Sequence, residues 1–144
     1  GMDSIAIPAQ TEAQAPALFA ANATGTGTPA GYYMRVKGEH QERGEFVNCP
    51  DGKECTPIPI QSTDPAEEVF LVLFGTGFRN TPSIRPQVHM GGMVVEAGYF
   101  GPHRDFVGLD QINVKVPRAL LGQGPAPVTI VHGEKRSNAV TIEF

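Results

Sequence analysis

Frequent glycine and proline residues limit this chain to short elements of structure. There are 17 glycines and 13 prolines, so these two types make up 30 of the 144 residues. In a helix interior, glycine costs about 1 kcal/mol and proline about 3 kcal/mol relative to alanine. We therefore expect no helical bundle. The longest apolar runs also fall far short of the ~20 residues that span a bilayer, so we expect no membrane insertion.

The second half of the chain has the pattern of a β-sandwich. Val69–Phe74 is apolar throughout, which suits a central strand buried on both faces. Gly91 and Gly92 separate two short apolar segments, as in a two-residue hairpin turn. The last segment, 138–144, alternates apolar and polar residues, as a half-buried strand does. Short strands between such turns predict an all-β fold, a Greek-key β-sandwich of about seven strands.

The first half predicts an appended hairpin rather than a second domain. We expect residues 1–14 to be a disordered or extended segment, and a single domain to follow over 15–144. Aromatic and branched residues over 31–37 predict a strand. We place a charged turn at 38–45 and the return strand at 45–48. The domain then comprises a hairpin insert with a cysteine loop over 30–60 and a core over 69–144.

The two cysteines lie close together, at Cys49 and Cys55, with Pro, Asp and Gly among the five residues between them. A disulfide bond closing this loop stabilises by roughly 2 kcal/mol in the loop-entropy model. Two inert thiols are the main alternative. A metal site is disfavoured, because no second ligand pair stands at finger-like spacing. A disulfide bond implies an oxidising compartment, and we expect an extracellular or cell-surface location.

Several segments resemble the IPT/TIG domain, an immunoglobulin-like module. They are Phe74–Phe78 (Phe-Gly-Thr-Gly-Phe), the Gly-Gly strand Val88–Ala97, Ile112–Pro117 and Ser137–Val140. A closer resemblance is to the Solibacter uncharacterised C-terminal domain, on the opening segment 15–19 and the segment Val107–Pro117. The resemblance covers about residues 15–144. It implies an immunoglobulin-like sandwich that is secreted or surface-attached and non-catalytic. The acidic insert 39–55 departs from the family pattern.

Charge argues against a nucleic-acid partner. The chain has a formal net charge of −4, and a phosphate backbone is bound by excess Lys and Arg. The charge is also uneven. Residues 1–68 hold 4 basic and 10 acidic side chains, whereas residues 69–144 hold 7 basic and 5 acidic ones.

Catalytic and metal-binding patterns are missing from the sequence. None of the four histidines (His40, His89, His103 and His132) has a partner at metal-ligand spacing. None of the four serines lies in a Gly-x-Ser-x-Gly elbow. Acids such as Asp105 and Asp110 show no sign of a paired carboxylate site. We expect no enzyme, no cofactor and no metal.

Candidate binding residues lie on one predicted strand and among the tyrosines. On a strand at 107–116, Gln111 and Asn113 share the face opposite Ile112 and Val114. This polar stripe either binds sugar or peptide, or ties down neighbouring loop backbone, as buried amides usually must. Exposed aromatic rings form binding platforms. The candidate ligand-binding residues are Tyr32, Tyr33, Tyr99, Gln111 and Asn113.

The expected function is adhesion, or interaction with a protein or with neighbouring domains of a longer chain. The alternative is a carbohydrate-binding module that uses the exposed tyrosines and the polar stripe, with a glycan as its partner. The absence of tryptophan weakens this alternative. A hydrolase is disfavoured, since no convergent acid pair or triad can be assembled.

Overall fold

A computed structural model describes residues 15–21, 27–52, 54–62, 64–79 and 83–144. Within these ranges the chain forms antiparallel strands and one short 3₁₀ turn, Arg118–Leu120. The strands build two sheets and a small separate ribbon. The prediction of an all-β sandwich is confirmed. The extended or disordered segment predicted over 1–14 lies outside the described residues.

The larger sheet has six strands. β6 (Glu68–Thr76) is central, with β10 (Asp110–Lys115) on one side and β2 (Gly31–Lys37) on the other. The outer positions belong to β9 (Tyr99–Pro102), next to β10, and β3 (His40–Gly44), next to β2. A sixth strand, β1 (Ala17–Leu18), pairs with the end of β6.

β1 and β2 lie end to end along the same edge of β6, so the predicted hairpin continues the larger sheet. The approach of β1 depends on Gly75. A Cβ at this position would lie 1.9 Å from the Ala17 carbonyl oxygen. On the other side, Asn138 binds Leu18 through both atoms of its amide: Oδ1 accepts from the Leu18 N–H at 2.8 Å and Nδ2 donates to its carbonyl at 3.0 Å.

The smaller sheet has five strands. β11 (Pro125–His132) pairs on one side with β7 (Gln87–Met90), which pairs with β8 (Met93–Glu96). On its other side β11 pairs with β12 (Lys135–Arg136) and β13 (Val140–Glu143). The hairpin predicted at Gly91 and Gly92 is present. Both residues have positive φ, 57° and 84°, as a primed turn requires.

The core lies between the two sheets. Partners across an antiparallel ladder share one face, so the register fixes which residues point inward. Val69, Leu71 and Leu73 of β6 point inward and are 0–1 % exposed. Ile112 and Val114 of β10 lie on the same inner face, as the sequence predicts. The smaller sheet contributes its own buried set: Val88, Met90, Val128, Ile130, Val140 and Ile142.

Two strands differ from the sequence prediction. The return strand of the hairpin is β3, His40–Gly44, the segment expected to be a charged turn. Its residues are polar because the edge of the sheet is exposed, so no apolar alternation marks it. β9, Tyr99–Pro102, was not predicted, since it is short and contains both glycine and proline.

The cysteine loop closes a ribbon of two short strands, β4 (Val47–Asn48) and β5 (Thr56–Pro57). Cys49 and Cys55 form a disulfide bond, which confirms that prediction. Phe46, just before the ribbon, is fully buried, and its carbonyl accepts from the Ile58 N–H at 2.9 Å. The ribbon therefore attaches to the core through Phe46 and through Val47 of β4, which packs against the core cluster.

Among the described residues, the chain forms no helix of the length and apolarity needed to cross a bilayer.

Candidate functional site

The outer face of the larger sheet is unusually apolar for a two-layer sandwich. The side of β6 and β2 that faces away from the core carries apolar side chains at successive outward positions. A sheet with one solvated face normally places polar residues there. The outer apolar face consists of Tyr32, Met34, Val36, Phe70, Val72 and Phe74. Val72 is only 5 % exposed, and the other five side chains are half-buried by their neighbours.

A row of rings crosses one end of this face. The Tyr32 and Phe74 ring centroids are 6.1 Å apart, and Phe74 meets the His103 ring edge-on at 5.5 Å. His103 in turn lies 5.1 Å from Phe106, which is 63 % exposed in the loop between β9 and β10. Rings at these separations attract each other beyond their area of contact. The row therefore fixes this loop against the sheet.

Arg43 ends the row at the β3 edge. Its guanidinium carbon lies 3.9 Å from the centre of the Tyr32 ring, which is cation–π geometry. The hydrogen bond from Arg43 Nε to the Glu45 carboxylate, 2.7 Å long, raises the pKa of the guanidinium above its ordinary value. The Glu45 carboxylate and the cation–π contact together hold Arg43 above the ring.

A shallow depression lies on the same outer face, at the β9 edge. It has a volume of about 290 Å³ and is lined by Tyr99, Pro102, Arg104, Gln111 and Asn113. Three of the five residues predicted from the sequence therefore meet in one place. The register explains this, because Tyr99 is paired with Asn113 and Gly101 with Gln111.

The Tyr99 ring lies flat along its own strand. Its hydroxyl donates to the Pro102 carbonyl oxygen at 2.7 Å, and a Cβ at Gly101 would lie 3.3 Å from the same hydroxyl. Glycine at 101 thus leaves room for the ring to lie over the backbone. Tyr99 remains 43 % exposed, so part of its side chain is accessible to solvent.

The amides of Gln111 and Asn113 bind each other. Gln111 Nε2 donates to Asn113 Oδ1 at 2.9 Å. In the ranges that the structure describes, neither side chain bonds to loop backbone, which the structural interpretation of this stripe required. Gln111 Oε1 and Asn113 Nδ2 have no partner there, so an acceptor and a donor face the depression.

The other two tyrosines are separated by the alternation of β2. Tyr32 lies on the same outer face as the depression, on β2, with β6 between it and β10. Tyr33 points into the core, where it is 4 % exposed and its hydroxyl accepts from the Gln61 N–H at 3.2 Å. Tyr33 therefore stands apart from the other four candidate residues.

Sequence reasoning missed Arg104, Phe70 and Phe74. The sequence predicts a strand over Val69–Phe74 that is buried on both faces, whereas the register places Phe70 and Phe74 half-buried on the outer face of β6. Arg104 carried no signal because it stands in a loop before β10. The loop packs on Phe74 through His103, and Arg104, the next residue, lines the depression.

Reactive groups elsewhere are engaged in structural contacts. Asp110 accepts hydrogen bonds from backbone and side chain of Arg79, so it anchors the turn after β6. A second depression of about 360 Å³ is lined in part by Glu68 and Lys115, which pair with each other at 2.6 Å. Among the described residues, no three His, Cys, Asp or Glu side chains are placed to hold a metal ion.

Comparison with protein-family models, with curated proteins and with solved structures finds no match for this chain.

Proposed function

We propose that this chain is a non-catalytic module of a secreted or cell-surface protein, and that it binds a protein partner or a neighbouring domain. The observation that carries the proposal is the outer apolar face. Two adjacent strands present half-buried apolar side chains away from the core, and contiguous apolar surface marks interaction sites on soluble proteins. The disulfide bond supports an oxidising, extracellular setting.

The immunoglobulin-like assignment belongs to the same proposal. The larger sheet contains the order β9-β10-β6-β1, and the smaller contains β8-β7-β11-β13. These orders correspond to strands D-E-B-A and C′-C-F-G of an immunoglobulin-like sandwich. They support the resemblance to IPT/TIG domains and to the Solibacter uncharacterised C-terminal domain. In this assignment the hairpin β2–β3 is an addition beside strand B.

Site-specific photocrosslinking tests the proposed face. A photoreactive phenylalanine analogue replaces Tyr32 on the outer apolar face, and the matched control replaces Val94, which is 54 % exposed on the smaller sheet. On the cells that make the protein, we expect the variant with the analogue at position 32 to form one defined crosslinked adduct. Adding Val36→Glu to that variant should abolish the adduct. Equal adducts from both positions, or none from either, would overturn the proposal.

A second candidate function, carbohydrate binding, is favoured by a separate observation. Tyr99, Gln111 and Asn113 line one depression, with a flat ring beside an unused donor and acceptor. A glycan array tests it directly. Saturable binding that Tyr99→Ala abolishes and Tyr32→Ala leaves intact would support this function. Binding to no glycan on the array would reject it.

A further inference from the structure

We propose that the depression at the β9 edge binds a sugar residue that carries a carboxylate, such as a uronic acid. This inference rests on the second candidate function, carbohydrate binding, and names its ligand class. Three groups of the depression carry it: the flat ring of Tyr99, the amide pair of Gln111 and Asn113, and the guanidinium of Arg104.

The Tyr99 ring supplies an apolar surface. A pyranose ring has one face of C–H bonds, and such a face packs on an aromatic ring while the hydroxyls point to the sides. The hydroxyl of Tyr99 is already bound to the Pro102 carbonyl, so it holds the ring in place. Tyrosine loses little conformational freedom on binding, since it has only two side-chain torsions.

The amide pair supplies directional recognition. Their mutual hydrogen bond leaves Gln111 Oε1 to accept and Asn113 Nδ2 to donate. Vicinal hydroxyls of a sugar donate and accept at neighbouring positions, which matches this arrangement. The mutual bond also fixes both side chains before a ligand arrives, so less ordering entropy is lost on binding.

Arg104 supplies the charge. Arg35, Arg43 and Arg79 each pair with a carboxylate of their own neighbourhood. Arg104 is exposed, lines the depression and forms no ion pair with any residue that the structure describes. A guanidinium binds a planar carboxylate through two parallel hydrogen bonds.

The volume of the depression and the net charge of the chain restrict the class of ligand further. Ligand pockets begin near 300 Å³, so a depression of about 290 Å³ suits a single ring of a longer saccharide. The whole chain has a net charge of −4, which repels polyanions that lack a specific site. Binding of an acidic saccharide therefore depends on a local cation.

Isothermal titration of the full chain with a galacturonate oligomer, and with the neutral galactose oligomer of equal length, tests the proposal. We expect the acidic oligomer to bind more tightly, and Arg104→Ala to weaken it about tenfold or more. Arg104→Lys should retain part of the affinity, since lysine keeps the charge but lacks the planar pair of donors of a guanidinium. Arg136→Ala, in exposed β12, is the matched control and should bind as the unmodified chain does.

Further variants and outcomes distinguish failure of the uronate proposal from failure of carbohydrate binding. Tyr99→Ala should abolish binding of both oligomers and Tyr99→Phe should retain it, while thermal unfolding verifies that each variant is folded. Equal affinity for the two oligomers, insensitive to Arg104→Ala, overturns the uronate class and leaves carbohydrate binding standing. If neither oligomer binds but the array shows binding of another glycan, the uronate class is likewise rejected and carbohydrate binding stands. Equal losses for Arg104→Ala and Arg136→Ala would reveal non-specific attraction and overturn the site.

Discussion

At the scale of single residues, Asp110 shows how a buried acid can be structural. The residue is 1 % exposed, yet its carboxylate has several donors. Oδ2 accepts from the backbone N–H groups of Phe78 and Arg79, at 2.9 and 3.3 Å. Oδ1 accepts from Arg79 Nε at 2.5 Å. A single carboxylate thus closes the turn that leads from the larger sheet to the smaller one.

Replacing Asp110 should therefore destabilise the fold strongly. Asp110→Ala leaves the backbone N–H groups of Phe78 and Arg79 without their acceptor, and an unsatisfied buried donor costs about 1–3 kcal/mol. The free energy of unfolding in urea measures the loss. Asp105→Ala, in the exposed loop nearby, is the control and should change stability by less than about 0.5 kcal/mol. Equal effects of the two variants would contradict the anchoring role of Asp110.

The Lys37–Asp64 ion pair makes a prediction about pH. Lys37 Nζ donates to Asp64 Oδ2 at 2.7 Å, and the Ala66 N–H donates to Oδ1 at 2.9 Å. The hydrogen bond from Lys37 comes first among the causes that lower the pKa of Asp64 below its ordinary value of 3.8. The same bond raises the pKa of Lys37 above 10.5.

The signs of the two shifts define where the pair stabilises the fold. A depressed carboxyl pKa favours the folded state above pH 3.8, and this contribution disappears as pH falls through the folded pKa of Asp64. The contribution of Lys37 is complete below pH 10.5 and is lost as pH rises through its folded pKa. Carbon NMR titration should show Asp64 titrating below 3.8, and higher in Lys37→Gln. An unchanged titration in that variant would show that Lys37 is not the cause.

At the scale of elements, we expect the sandwich core to fold without a locked disulfide ribbon. The ribbon strands β4 and β5 pair only with each other. They attach to the core through Val47 of β4, which packs against it, and through their neighbours: Phe46 is fully buried, and the Ile60 N–H donates to the Glu143 carbonyl at 3.0 Å. The disulfide bond therefore shapes the loop between two anchored ends.

Removing the disulfide should lower stability without unfolding the chain. For Cys49→Ser with Cys55→Ser, the loop-entropy model predicts a loss of roughly 2 kcal/mol in the free energy of unfolding. Reductant should produce the same loss in the unmodified chain and no effect in the double variant. A double variant that fails to fold under native conditions would show that the ribbon is part of the core.

At the scale of the whole molecule, the sequence predicts those strands and turns that apolar alternation or turn-forming residues mark locally. The apolar run of β6, the Gly91–Gly92 hairpin and the inward face of β10 follow from local pattern. β3 and β9 could not be predicted in the same way, because edge strands are exposed and need no apolar alternation.

The candidate site depends on register, which no local pattern fixes. Tyr99 and Gln111 are twelve positions apart in sequence, and only the pairing of β9 with β10 puts them on one face. The outer position of Phe70 and Phe74 likewise cannot be predicted without knowing which strands pair with β6. An unbroken apolar strand is compatible with either face being covered.

Amide hydrogen exchange should reveal the hierarchy of the molecule. β6 is paired along both edges and its inward side chains are fully buried, as are those of β10 and β11. Their amides should exchange most slowly, with the free energy of global unfolding, because no partial opening exposes them. Amides of the β4–β5 ribbon should exchange faster, since the ribbon has no further strand partner. Reducing the disulfide should then change exchange chiefly in the ribbon. If ribbon and β6 amides exchange with equal free energies, the two form one cooperative unit, and the ribbon is not an addition to the core but part of it.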